Sequence, residues 1–227
     1  MKKHLSVLLK ITVALGAFVG VALSHYNMRG FMGGNRTFLY FTIQSNLWIA
    51  LLDVVALVMM VRGSGTLGRM GAEERVAARW YSLAQLIFTV SITLTGVVFC
   101  FVLAPTMAPG TAFGLANVLT HVVVPLAAII DFIVCRRTYT FRRIDVLFPT
   151  LPAWYYLAFA SVGYVLDWPF GEGINYPYFF LNWGSPAGAF GFCDALPFMG
   201  VAYYIALILL FLIALARCYM ALCRKKK

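Results

Sequence analysis

Six apolar runs, each about twenty residues long, constrain this chain more than anything else in it. They are Leu5–Leu23, Phe38–Val61, Tyr81–Leu103, Phe113–Val134, Ile144–Val165 and Pro197–Tyr219. A helix needs ~20 apolar residues to cross the hydrocarbon core of a bilayer. In that core every backbone N–H and C=O must be satisfied within the chain, which a helix does on its own. The expected fold class is therefore an all-α membrane protein, a bundle of six transmembrane helices forming one integral domain over residues 1–227. Composition agrees: 11% of the residues are charged, less than half the ~25% of ordinary soluble domains.

The charges that remain are sorted by loop. Of the 18 lysines and arginines, only Arg29 and Arg36 fall in the connections of one side. The other side takes Lys2, Lys3 and Lys10, then Arg62, Arg69, Arg75 and Arg79, then Arg136, Arg137, Arg142 and Arg143, then Arg217 and the tail Arg224–Lys227. Basic connections stay in the cytoplasm, so both termini are predicted cytoplasmic. In a bacterial cell the membrane would be the plasma membrane. The net charge of +10 is then topology and contact with anionic membrane lipids, and no nucleic-acid partner is expected. Lys2, Lys3 and the run that follows resemble a signal peptide ending at Ala22-Leu23-Ser24. The run is longer than the 7–15 apolar residues typical of a signal's core, so it reads as a retained first helix. No two of the five cysteines have CxxC spacing, and the three histidines lie far apart. They give neither a disulfide framework nor a ligand spacing for zinc or haem, and no cofactor or metal is expected.

Two spans carry polar residues where lipid would penalise them. Tyr40-Phe41-Thr42-Ile43-Gln44-Ser45-Asn46 heads the second, and Asn117-Val118-Leu119-Thr120-His121 lies within the fourth. Thr42 and Asn46 are four apart and share a helix face, as do Asn117 and His121. Asp53 continues the first stripe three turns further on. Gln85, Thr89, Thr93 and Gly96 form a third stripe on span three, read as a packing seam of small and hydroxyl residues. Asp53 and Asp131 lie toward the cytoplasmic ends and are expected to snorkel or to pair near Arg62 and Arg136. His121 lies too deep to snorkel, and Pro125 one turn later loosens its helix. Ionisable residues inside spans are functional candidates by default, and a hydroxyl with an imidazole is the minimum kit for nucleophilic catalysis. Thr42 and His121 differ in expected depth by about 6 Å at 1.5 Å rise per residue, which helix tilt absorbs.

The run Tyr40–Leu47, the sequence His121-Val122-Val123-Val124-Pro125-Leu126 with Asp131 ten beyond the histidine, and Tyr176-Pro177-Tyr178 together resemble the androgen-induced protein family. That family includes the androgen-dependent regulator of tissue factor pathway inhibitor, and the resemblance points to a member of bacterial type. It covers most of the chain and implies multi-pass threonine hydrolases that cleave fatty acid esters of hydroxy fatty acids. The family's essential Thr and His map onto Thr42 and His121. Tyr176–Asn182 resembles an aromatic-proline segment of bacterial relatives, which ends on an acidic residue where this chain has Asn182.

On this reading Thr42 is the nucleophile and His121 the general base. Asn117 and Asp131 are candidates for orienting the imidazole. Asn46 is the first candidate for the oxyanion donor, with Gln44 and Ser45 behind it. Arg29 and Arg36, the two cations expected at the outer surface, are candidates for holding the free carboxylate of a lipid ester. The segment Leu166–Leu196, with Trp168, Tyr176, Tyr178 and Trp183, is expected on the same side as a lid or a passive interfacial cap. A lipid binder without activity and a small transporter using His121 and Asp53 are the other readings. The binder needs only a cavity, and the transporter needs a polar path to both faces.

Overall fold

A computed structural model describes residues 2–27, 33–62, 72–107, 109–134 and 141–223. Its six long helices are α1 (Lys2–Tyr26), α2 (Phe41–Arg62), α3 (Ala72–Val98), α4 (Leu115–Val134), α5 (Arg143–Val165) and α6 (Val201–Leu222). All six are long and apolar enough to cross a membrane. Among the described residues there is no strand, only two isolated bridges, Gly171 with Ile174 and Phe192 with Met199. The chain is a multi-pass helical membrane protein.

The ends of the spans depart from the apolar runs for local reasons. Gly34–Leu39 forms a 3₁₀ turn and Tyr40 is extended, so α2 begins at Phe41 rather than Phe38. Thr42 therefore stands in the first turn of α2, not a full turn inside it. The opening of α5, Arg143–Thr150, is 3₁₀ and becomes α-helical at Leu151. Pro149 and Pro152 sit at that change, each lacking the N–H an α-helix would use. The last helix starts at Val201, not Pro197. Its first free N–H groups find loop acceptors, Val201 donating to the Gly188 carbonyl and Ala202 to that of Ala189, as an unpaired helix start requires. Gly200 permits this approach, since a Cβ there would lie 2.2 Å from the Ala189 oxygen.

α3 is the central post, with 56% of its spanning window buried against 22% for α6. One of its faces puts Ile92 into a core shared with Val13 and Ala17 of α1, Ile49 and Ala50 of α2, and Val124, Ala127 and Ala128 of α4. The other puts Leu86, Val90 and Leu94 into a core with Tyr156 and Ala160 of α5 and Leu212 and Ala216 of α6. The seam expected on α3 is such a contact. A Cβ on Gly96 would lie 3.1 Å from the His121 carbonyl oxygen of α4, and the Thr93 hydroxyl bonds that of Tyr219 on α6 at 2.9 Å.

At the end of the bundle that carries both termini, Lys10 of α1 reaches between Asp53 of α2 and Asp131 of α4. Its Nζ donates to Asp53 at 3.0 Å and also to Asp131, which accepts a further bond from the Ser6 hydroxyl at 2.6 Å. Lys10 is 1% exposed and both aspartates 2%. This corrects the expected pairing of Asp53 and Asp131 with Arg62 and Arg136. Arg62 is exposed, and Arg136 lies outside the described residues. It also removes Lys10 from the loop charges, without changing the direction of the asymmetry. Inside an apolar bundle the nearest opposite charge is worth far more than the same charge in water.

Candidate functional site

At the opposite end, the N-terminus of α2 meets a distortion in α4. Residues Leu119–Val123 form a π turn, a widened helical turn that often marks functional positions. Pro125 follows after Val124 and cannot donate to the His121 carbonyl. The widened turn is closely held. Gly96 of α3 packs on it, and a Cβ on Gly20 of α1 would lie 2.7 Å from the Thr120 methyl. A second π turn, Phe99–Leu103, ends α3 beside it. The ring of Phe99 stacks on His121 with centroids 3.9 Å apart and planes at 23°.

This packing puts His121 against Thr42, with the Thr42 Oγ1 3.2 Å from His121 Nε2. Both side chains are buried, at 5% and 4% exposure. The other ring nitrogen decides which way the contact runs. Nδ1 lies 3.1 Å from the Asn117 carbonyl oxygen and 3.0 Å from Thr120 Oγ1. A carbonyl only accepts, and the Thr120 hydroxyl already donates to the Ala116 carbonyl at 2.9 Å. The network therefore assigns the proton to Nδ1. Nε2 is left as an acceptor, and the Thr42 hydroxyl donates to it.

The expected helpers divide. Asn117 does orient the imidazole, but through its backbone carbonyl; its side chain donates to the Thr111 carbonyl at 3.1 Å. Asp131 takes no part, being bound to Lys10 and Ser6. Asn46 does not fit an oxyanion donor. Both hydrogens of its amide are committed, to the Thr42 carbonyl at 2.7 Å and the Thr120 carbonyl at 3.0 Å, which braces α2 against the π turn. Ser45 is likewise committed, bonding the Thr42 carbonyl at 3.0 Å and the Thr95 hydroxyl at 2.8 Å. Gln44 turns its amide back to the Phe38 carbonyl at 3.0 Å. Arg36 is half-buried in the 3₁₀ turn before α2, close enough to Tyr40 to act on its hydroxyl electrostatically. Arg29 lies outside the described residues. Asn182 accepts from the Gly184 N–H within a turn, a local role.

Thr42 also forms part of the wall of a small cleft, with about 80 Å³ of free volume, between α3, α5, α6 and the segment after α5. Apart from two threonines, two tyrosines and Trp154, every lining side chain is apolar. His121 stands behind Thr42, away from the cleft. Four neighbours escaped the sequence reading as parts of the site: Phe99, Thr120, Tyr156 and the hydroxyl of Tyr178. Phe99 is the next step of the Gln85–Gly96 stripe, and Thr120 adjoins His121, so both carried a signal. Tyr156 and Tyr178 looked like ordinary aromatics of a span and of an interfacial segment. The Tyr178 hydroxyl accepts from the Thr42 N–H at 3.5 Å. Burial raises its pKa, with the neighbouring Thr42 chiefly opposing the shift. Comparison with protein-family models, with curated proteins and with solved structures returns no match.

Proposed function

We propose that this protein hydrolyses lipid esters within the membrane, with Thr42 as nucleophile and His121 as general base. The observation that carries the reading is a hydroxyl placed between an apolar cleft and the acceptor nitrogen of a histidine, 3.2 Å away. The apolar lining of the cleft suits an acyl chain, whose ester carbonyl would meet Thr42 on the wall. Thr42 Oγ then bonds the carbonyl carbon while its proton passes to His121 Nε2. Collapse breaks the bond to the alcohol oxygen, which takes that proton. Water next attacks the acyl-threonine, gives a proton to His121, and releases the carboxylic acid as Thr42 recovers its hydroxyl. The resemblance noted from the sequence supports fatty acid esters of hydroxy fatty acids as the substrate class. The distribution of loop charges supports cytoplasmic termini and a site in the outer half of the bilayer, where water for the second step is close.

The test is hydrolysis of a long-chain acyl ester by the purified protein in detergent micelles. Thr42→Ala should abolish turnover while the protein still folds, at a stability cost of no more than the ~1–3 kcal/mol of the lost bond, and His121→Gln should lower kcat by at least ~10²-fold. Because only neutral imidazole accepts the proton, the parent's rate should fall about tenfold per pH unit below the pKa of His121. Full turnover by Thr42→Ala would end this reading, and binding of the ester without turnover by the parent would favour a lipid binder.

A further inference from the structure

The proposed mechanism leaves the developing negative charge on the carbonyl oxygen without a donor, since Asn46 and Ser45 have committed theirs and Gln44 turns its amide back to the Phe38 carbonyl. The backbone N–H of Thr42, in the first turn of α2 where no intrahelical acceptor exists, is taken by the Tyr178 oxygen. A donor that remains beside Thr42 is the hydroxyl of Tyr178, which lines the same cleft. Its neighbour Tyr156 spends its own proton on the Leu39 carbonyl at 3.0 Å. The Tyr178 ring is held from three sides: stacked on Phe180 at 5.1 Å, edge-on to Tyr40 at 6.0 Å, and against Tyr156 at 6.2 Å.

The Thr42 nitrogen and the Tyr178 oxygen are 3.5 Å apart. The Thr42 N–H points at that oxygen, so it engages a lone pair of the hydroxyl and leaves the hydroxyl proton to be donated to a carbonyl oxygen beside Thr42. Resting on the reading of Thr42 as nucleophile, we propose that Tyr178 is a catalytic residue whose hydroxyl, polarised by the Thr42 N–H, stabilises the oxyanion. As the Thr42 Oγ–carbon bond forms, the carbonyl π pair moves to oxygen, and Tyr178 donates a hydrogen bond without giving up its proton. Collapse returns the pair to the carbonyl as the alcohol leaves. The positive end of the α2 dipole lies at the same point and acts in the same sense.

Tyr178→Phe keeps the ring and removes the donor. In the full-length protein, with 4-methylumbelliferyl oleate as substrate, kcat should fall ~10²–10³-fold, the usual cost of an oxyanion donor, with KM within threefold of the parent. An alkyl trifluoromethyl ketone, which forms an anionic adduct on Thr42, should lose affinity by a similar factor. The corresponding trifluoromethyl carbinol, which forms no adduct, should bind as before. Tyr178→Phe with kcat within threefold of the parent, while Thr42→Ala is inactive, would overturn the role of Tyr178 and leave Thr42 standing. Equal losses for ketone and carbinol, with a lowered melting temperature, would show a structural role and overturn it too. A parent that hydrolyses no ester and forms no adduct with the ketone would overturn the reading of Thr42 and this role with it.

Discussion

Helices α1, α2 and α4 carry a buried polar cluster at each end, and the two are built on opposite terms. At the end with the termini, three formal charges from three helices meet around Lys10. At the other end Thr42, Asn46, Thr120 and His121 join α2 to α4 with neutral groups. The charged cluster is sealed among helices. The neutral one borders an apolar cleft whose wall includes Thr42. A charge without its partner is very costly in a low-dielectric interior, whereas a neutral hydroxyl without its partner costs ~1–3 kcal/mol. Chemistry that must make and break contacts at each turnover suits the neutral end, and the charged end suits fastening.

That contrast is most directly broken at Lys10. Lys10→Met leaves Asp53 and Asp131 facing each other with no cation between them. A loss of ~3–5 kcal/mol in stability is expected, the usual cost of removing one partner from a buried pair. Asp53→Asn should cost less, because Lys10 and Asp131 still form a one-to-one pair with the Ser6 hydroxyl beside it. Thermal unfolding in one detergent measures both. If Lys10→Met melts with the parent, the charged cluster is not a fastening and the comparison fails.

A smaller effect separates brace from chemistry at the other end. Asn46→Ala removes the donors to the Thr42 and Thr120 carbonyls, with an expected cost of ~1–3 kcal/mol. It touches neither side chain of the Thr42–His121 contact, yet it frees α2 from the π turn that holds the histidine. Turnover should therefore fall, by up to ~10²-fold if the pair separates by about 1 Å. A full rate with lowered stability would show that Phe99 stacking and the Asn117 carbonyl position His121 without it.

How much of this was legible in the sequence follows the same division. The six spans were legible because hydrophobicity is summed over about twenty residues and local errors cancel. The pairing of Thr42 with His121 was legible because a polar side chain in a span must face protein, and two helices each offered one polar face. The resemblance to a family pointed to the same pair. The Lys10 cluster was missed because a lysine ten residues from the N-terminus reads as a flanking charge. Only the tilt and rotation of α1 show that it points inward. The oxyanion donors were misjudged for a different reason. Sequence spacing puts Asn46 one turn below Thr42, but it cannot show that both amide hydrogens already serve backbone carbonyls. Tyr178 arrives from a segment more than a hundred residues away, and nothing in its surroundings distinguishes it from Tyr176.

The sharpest version of the comparison has the smallest expected effect. If the charged cluster only fastens helices, nothing in it needs to be charged. Replacing Lys10, Asp53 and Asp131 together by Met, Leu and Leu removes every formal charge and fills comparable volume. The freed Ser6 hydroxyl can bond a carbonyl of its own helix, as serines in membrane helices do. Buried charge groups replaced whole by apolar residues are often neutral or stabilising, so the triple variant should melt within ~1 kcal/mol of the parent or above it. Its ester hydrolysis, measured in the same preparation, should be unchanged within about twofold. A triple variant as unstable as Lys10→Met would mean that the charges specify how α1, α2 and α4 assemble, beyond holding them together. A triple variant that is stable but inactive would couple the two ends, and the division between fastening and chemistry would no longer hold.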